Sequence, residues 1–292
     1  MYKHSWQALG THFTITIWDA RDVSILEDVA AQLEKHAHAF DALYSRFKPD
    51  SLITKLSAQI GLVAVPEALT AMLRLYDDLY HATQGKINPT IGFALADTGY
   101  DASYSLVAQD TVRDVPAFTD ALTIIDDRHI ELHEHVLLDL GALGKGFLID
   151  ELYTMLHTAG LEHFLVDGSG DIRYFSSTNE PIACGLEDPT DPTKVIGVLY
   201  ITGGSLCASA INRRRWDDRH HYIDPHDVSS PQSVLATWVL ADTAALADGL
   251  SSALFFMAPE ALYAYSFQYC VVNQEMRMKK SAGFAADFFK EE

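Results

Sequence analysis

Residues Asp139 to Asp150 read D-L-G-A-L-G-K-G-F-L-I-D, a glycine-dense turn with one lysine that runs directly into an amphipathic helix. Such a turn leaves backbone N–H and C=O groups bare beside a helix start, where a phosphate or a cation approaches without meeting side chains. Tight packing is the plainer use of the same glycines. Far downstream, in Ala241 to Ser252, Asp248 and Ser252 fall at i and i+4. On a helix those positions share a face, so a carboxylate and a hydroxyl can both reach one hard cation such as Mg2+, which takes oxygen ligands and shares substrate phosphates. Asp248 can equally be a solvated helix residue and Ser252 a small packing residue. The functional reading requires a fold that lays the glycine turn against this helix, where Lys145 would offset phosphate charge.

The chain has 292 residues, 48% of them hydrophobic and 21% charged, enough for one large domain spanning 1–292. Its formal net charge of −19 argues against a nucleic-acid partner, which is bound through surplus Lys and Arg. No apolar run approaches the ~20 residues of a membrane span. The start, Met1-Tyr2-Lys3-His4-Ser5-Trp6-Gln7, has no signal-peptide pattern, so a cytoplasmic protein is expected. Cys184, Cys207 and Cys270 are isolated and read as buried thiols rather than as a zinc site or a disulfide framework.

Periodicity predicts a strand over His12 to Trp18, a long helix or two helices end to end over Val23 to Phe47, and a further helix from Pro66 to Thr83. A third helix is expected over Phe147 to Thr158, closed by Gly160, and a last one over Thr243 to Met257. Short strand-like runs alternate with polar turns from Ile182 to Val239. Helices and strands do not alternate strictly, which favours α+β over a doubly wound sheet.

Residues 213–227 hold Arg213, Arg214, Arg215 and Arg219, which could grip a pyrophosphate by bidentate contacts, and His221, which could titrate near neutral pH. A solvated polar loop is the plainer alternative. A metallohydrolase site built from His220, His221, Asp224, His226 and Asp227 is also possible, although adjacent histidines on a strand cannot both face one ion. His129, His133 and His135 read as exposed residues of a hairpin.

Seven segments, in order, resemble the ApbE family of FAD:protein FMN transferases. They are Leu9-Gly10-Thr11-His12-Phe13, Tyr44 to Leu52, Gly85 to Gly92, Asp139 to Asp150, Leu165 to Ile172, His221-Tyr222-Ile223-Asp224-Pro225 and Ala247 to Leu254. The resemblance implies an α+β enzyme of mixed or antiparallel sheets with flanking helices, and two lobes around an FAD cleft. It implies that FMN passes from FAD to a Thr or Ser hydroxyl of an acceptor flavoprotein, with release of AMP and dependence on Mg2+. The metal ligands it implies are the Gly144 carbonyl, Asp248 and Ser252. His221 would be the catalytic residue, and Asn88, Lys145, Asp171 and Glu187 would contact FAD.

The chain departs from the family pattern in places. Ser252 stands where the family has Thr and Gly144 where it has Ala, and both keep the oxygen donor. Ala208-Ser209-Ala210 replaces T-S-G, and Pro225-His226-Asp227-Val228 replaces P-R-T-G. Those loops shape the flavin pocket and the acceptor entrance, which keeps two other readings open: an FAD-binding protein with weak or no transferase activity, and a Mg2+-dependent FAD pyrophosphatase.

Overall fold

The computed structural model describes residues 1–212, 214–216 and 219–289. In chain order the first half contains β1 (Tyr2–Ala8), β2 (Thr11–Ile17), α1 (Val23–Tyr44), α2 (Leu52–Leu56), β3 (Gly61–Ala64), α3 (Glu67–Ala82), α4 (Gly92–Asp97), α5 (Phe118–Ala121), β4 (Leu122–Ile124) and β5 (His129–Leu132). The second half continues with α6 (Gly144–Thr158), β6 (His163–Gly168), β7 (Asp171–Ser176), β8 (Ile182–Glu187), β9 (Val195–Ile201), β10 (Gly204–Ala210), β11 (Arg215–Trp216) and β12 (Arg219–His220). It closes with β13 (Val234–Ala241), α7 (Ala244–Ala253), β14 (Gln268–Asn273), β15 (Met278–Lys280) and β16 (Asp287–Phe288).

An eight-stranded sheet in the order β1-β2-β6-β7-β10-β13-β14-β15 forms the frame, and its recorded pairings are all antiparallel. The expected α+β class is what the chain adopts. In β2, Phe13, Ile15 and Ile17 are fully buried, as their alternation requires. Strand β13 is buried on both faces. Its Val239 and Ala241 join the core beneath α1, α6 and α7, whereas Ala236 and Trp238 join a second core that includes Leu186, Leu199 and Ile201 of β8 and β9. One face of the sheet thus carries helices and the other a small sheet ordered β16-β9-β8. Buried on both sides, the central strands show continuous apolar runs rather than clean alternation.

Helix α1 is a single helix whose Leu26, Ala30, Leu33, Ala37, Phe40 and Tyr44 face the core, and Asp22 caps it by accepting from the Ser24 N–H. In α3, Leu69, Met72, Leu73, Tyr76 and Leu79 are buried on one side. Both match the periodicity of the sequence. Helix α6 starts at Gly144, earlier than the expected Phe147, so Gly144, Lys145 and Gly146 lie in its first turn rather than in the loop. No helix among the described residues is long and apolar enough to cross a membrane.

Between α4 and α5 runs a segment without regular structure that is fastened by several side-chain bonds, Asn88 Nδ2 to the Pro116 carbonyl among them. Buried Asp97 accepts from the Arg113 backbone N–H (3.1 Å), Nε (2.7 Å) and Nη2 (2.6 Å). The Trp216 indole N–H donates to the Thr98 carbonyl (2.9 Å), and Arg46 Nη1 donates to the Tyr100 carbonyl (2.9 Å). The guanidinium of Arg113 holds the Asp97 carboxyl below its ordinary value. Its contribution is therefore fully present above about pH 4 and is lost as pH falls through the lowered pKa. Arg113 is half exposed, which screens the charge, so Asp97→Asn is expected to cost about 1–2 kcal/mol near neutral pH. Urea unfolding should show that difference shrinking below about pH 4.

Candidate functional site

A cleft of about 850 Å3 is lined by segments from many parts of the chain, among them Gly10, Arg46, Asn88, Gly144, Lys145, Ser209, His221, Asp248 and Ser252. Its floor is made by Gly144 and Lys145 in the first turn of α6 and by Asp248 and Ser252 of α7. Helix α6 has no side-chain cap of its own, and the Gly146 N–H donates instead to Asp248 Oδ2 at 2.9 Å. In return, Asp150 on α6 accepts from the Ala244 and Ala245 N–H groups at the start of α7, at 2.8 and 2.9 Å. Contact is so close that a Cβ on Gly146 would sit 2.2 Å from the Ala244 carbonyl oxygen. Glycine is required there for the approach, not for turn geometry.

Asp248 and Ser252 fall one turn apart on α7, as the i, i+4 spacing anticipated, and both are buried rather than solvated. Burial raises the Asp248 pKa, while the Lys145 ammonium, 4.0 Å from Oδ1, opposes that shift. Lys145 also forms an ion pair with buried Asp171, whose Oδ1 accepts from the Ala208 N–H at 2.8 Å. Asp171 therefore lies behind the cleft wall and holds Lys145 in it. The Ser252 hydroxyl donates to the Ala142 carbonyl at 3.5 Å, and the Ala142 N–H donates to the Tyr76 hydroxyl at 3.2 Å. Gly144 lines the cleft, but as the first residue of α6 its carbonyl is directed along the helix toward the Leu148 N–H. Ala142 was not singled out in the sequence; its signal is its place in the loop just before the helix.

The donor set is a carboxylate, a hydroxyl and a main-chain carbonyl, the hard oxygen chemistry that suits Mg2+. A buried carboxylate only partly balanced by a lysine also fits a site for a cation. Among the described residues, no three His, Cys, Asp or Glu side chains cluster as metal ligands. The metallohydrolase reading falls with the partners of its residues. His220 Nε2 bonds the Pro231 carbonyl (2.7 Å), Asp224 pairs with Lys86, and Asp227 accepts from Ser229.

His221 lies in the cleft wall, its ring 4.1 Å from that of Tyr222, which stacks on Phe255 at 4.2 Å just beyond α7. The expectation that it titrates near neutral pH is overturned. Burial, reinforced by the Arg214 charge, pushes its pKa down to about 3, so the ring is neutral. Its Nδ1 is buried without a hydrogen-bond partner among the described residues.

The arginine cluster divides. Arg214 lines the cleft, whereas Arg215 and Arg219 line a separate cavity of about 420 Å3 with Ser229 and Ser230; Arg213 lies outside the described residues. A cation that the sequence did not mark is Arg46, which pairs with Asp139 and lies 4.1 Å from the centroid of the Phe47 ring. Phe47, Tyr100 and Tyr104 form an aromatic wall beside it, with Phe47 and Tyr104 stacked at 5.1 Å. Asn88 lines the cleft, but its side chain is engaged: Oδ1 accepts from Thr90 and Nδ2 donates to the Pro116 carbonyl (2.9 Å). Glu187 ends β8 and is not part of the cleft lining.

The ApbE family pattern matches residues 9–270. The chain belongs to the ApbE family. An FAD:protein FMN transferase of Treponema pallidum is 25% identical over 97% of this chain and 87% of that protein. One of Rhodobacter capsulatus is 27% identical over 65% of this chain and 38% of its own length. The ApbE protein of Thermotoga maritima superposes with a TM-score of 0.84 at 20% identity, over 97% of both chains. Flavin transferase ApbE of Vibrio cholerae gives 0.76 at 17% identity, again over 97% of both. The ApbE fold thus extends over nearly the whole chain, including the cleft-lining segments.

Because burial keeps the His221 ring neutral, its NMR signal, assigned by its loss in His221→Gln, should stay constant from pH 8 to about pH 5, whereas an exposed histidine titrates near 6.5. The unfolded chain takes up that proton and the folded one refuses it. His221 therefore costs stability as pH falls from about 6.5 toward 3.

Proposed function

We propose that this protein is an FAD:protein FMN transferase that takes FMN from FAD, passes it to a Thr or Ser hydroxyl of an acceptor flavoprotein and releases AMP, with Mg2+ bound by Asp248, Ser252 and the Ala142 carbonyl. The observation that carries the reading is that Ala142, Asp248 and Ser252 line one cleft, with the Ser252 hydroxyl 3.5 Å from the Ala142 carbonyl and Asp248 Oδ1 4.0 Å from the Lys145 ammonium. The relatives from Treponema pallidum and Rhodobacter capsulatus carry that activity in their names, which supports it. When bound, the metal would supply positive charge against the phosphoryl oxygens and the leaving phosphate.

The acceptor hydroxyl oxygen attacks the phosphorus on the FMN side of the pyrophosphate. A new P–O bond joins FMN to the protein, the old P–O bond breaks, and AMP departs with the electron pair. Neutral His221 orients the acceptor hydroxyl through a ring nitrogen rather than keeping its proton, because a ring whose pKa is pushed down to about 3 is too weak a base near neutral pH; the proton leaves to solvent or to the departing phosphate. Lys145, held by Asp171, adds a fixed positive charge beside the metal ligands. The aromatic wall of Phe47, Tyr100 and Tyr104 offers planar surfaces for the rings of FAD, and Arg46 and Arg214 offer donors beside it.

The test is incubation with FAD and Mg2+, with and without a Thr- or Ser-bearing flavoprotein domain, followed by separation of AMP, FMN and FAD. Protein-bound FMN together with AMP is expected; free FMN with AMP identifies hydrolysis, and unchanged FAD identifies binding alone. Asp248→Ala is expected to lower Mg2+-dependent AMP release by about 100-fold or more, and unchanged turnover would remove Asp248 from the site. His221→Ala should slow transfer by about 100-fold or more while the FAD Kd stays within about threefold. Equal losses in both would make His221 a binding residue.

A further inference from the structure

We propose that Asp150 is a positioning residue for the metal site: by completing the N-terminus of α7 it sets the orientation of Asp248. The inference rests on the metal reading above and concerns a residue that touches no ligand in that reading. Asp150 does not line the cleft.

Three observations carry it. The first is the hydrogen bonding at the start of α7, whose first three N–H groups are all taken. Ala244 and Ala245 donate to the two carboxylate oxygens of Asp150, and Leu246 donates to the Thr243 hydroxyl at 3.3 Å. A helix start has orphan donors, and here two of them are satisfied by a residue from another helix rather than by a local cap. The second is reciprocity. Asp248 on α7 accepts in turn from the Gly146 N–H in the first turn of α6, so each helix start donates to a carboxylate of the other helix. The three bonds, two to Asp150 and one to Asp248, fix both the separation and the rotation of the helices, which a single contact would not. The third is that Asp150 is itself held, by Arg173 Nη1 at 2.5 Å, with that guanidinium seated 3.9 Å above the Tyr153 ring.

A carboxylate with one oxygen fixed by a main-chain N–H has its other oxygen fixed too. The Asp248 oxygen that faces Lys145 and the cleft is aimed by the bond its partner oxygen accepts from Gly146. Loss of Asp150 frees α7 to rotate against α6, and the Asp248 carboxylate, Ser252 hydroxyl and Ala142 carbonyl lose their common focus. Outer partners of metal ligands characteristically contribute about 10- to 100-fold in metal affinity.

The experiment is calorimetric titration of the full-length protein with Mg2+ alone, without FAD, for the wild type, Asp150→Asn, Asp150→Ala and the control Asp19→Asn. Asp19 accepts from the Glu162 and His163 N–H groups, 2.9 and 2.8 Å away, and does not line the cleft; it thus makes the same kind of bonds elsewhere. Asn keeps one acceptor oxygen and Ala none. Mg2+ affinity is expected to fall by about 10-fold in Asp150→Asn and further in Asp150→Ala, with Asp19→Asn unchanged. AMP release by Asp150→Asn should recover at saturating Mg2+, a KM effect rather than a kcat effect. Should either Asp150 variant misfold, Arg173→Gln, which removes the guanidinium holding the Asp150 carboxylate but leaves that carboxylate in place, probes the same clasp and is expected to weaken Mg2+ binding likewise. Wild-type affinity in the folded Asp150 variants, or an equal loss in Asp19→Asn, overturns the inference. A wild type that takes up no Mg2+ overturns the metal assignment itself and the inference with it.

Discussion

The exchange of carboxylates between α6 and α7 is the constraint on which the rest of the site depends. Two helix starts distant in sequence each present N–H groups that find a partner in an aspartate of the other helix, Ala244 and Ala245 in Asp150 and Gly146 in Asp248. The exchange is feasible only because Gly146 lets the backbones touch. Once it forms, Asp248, Ser252 and Lys145 are set relative to the loop carrying Ala142, and the floor of the cleft is built. A negative charge at each helix start also matches the positive end of the helix dipole, so the same bonds serve packing and electrostatics.

Charge is handled locally in this strongly acidic chain. The net charge of −19 would repel an anionic dinucleotide, yet Arg46, Lys86, Lys145 and Arg214 all line the cleft. Three of these cations are paired: Arg46 with Asp139, Lys86 with Asp224, and Lys145 with Asp171. Pairing fixes the cations in place before any ligand arrives, which lowers the ordering cost of binding. It also ties together segments far apart in the chain, since Lys86 reaches the loop after His221 and Arg46 reaches the glycine turn. Of the ion pairs, those half-exposed at the surface, such as Arg74 with Asp127, matter far less to the fold.

The aromatic wall depends on the irregular segment after α4. Tyr100 sits between Phe47 and Trp216, and Tyr104 stacks on Phe47. With no helix or strand to hold it, the segment relies on Asp97, Arg46, Trp216 and Asn88. Asn88 therefore acts on the cleft by anchoring Pro116, which explains why its side chain is occupied internally.

Much of this was legible in the residues. The apolar spacing of α1 and α3, the alternation in β2, the α+β class and the shared face of Asp248 and Ser252 follow from 3.6- and 2-residue periodicity, which are local properties of the chain. The family resemblance likewise rests on local motifs. Other features were invisible because they arise between segments far apart. Arg46 reads as one more charged residue until Asp139 and Tyr100 enclose it. His221 reads as an ordinary histidine until burial beside Arg214 strips its charge. The arginines of 213–219 read as one cluster until a hairpin turns Arg214 to the cleft and Arg215 and Arg219 to another cavity. By itself the sequence determined which elements form and which groups can bind oxygen-loving cations and phosphates. Only the tertiary structure decided which carbonyl faces Ser252 and which carboxylate completes which helix, because both depend on how two backbones approach, and that distance is set by packing across the chain.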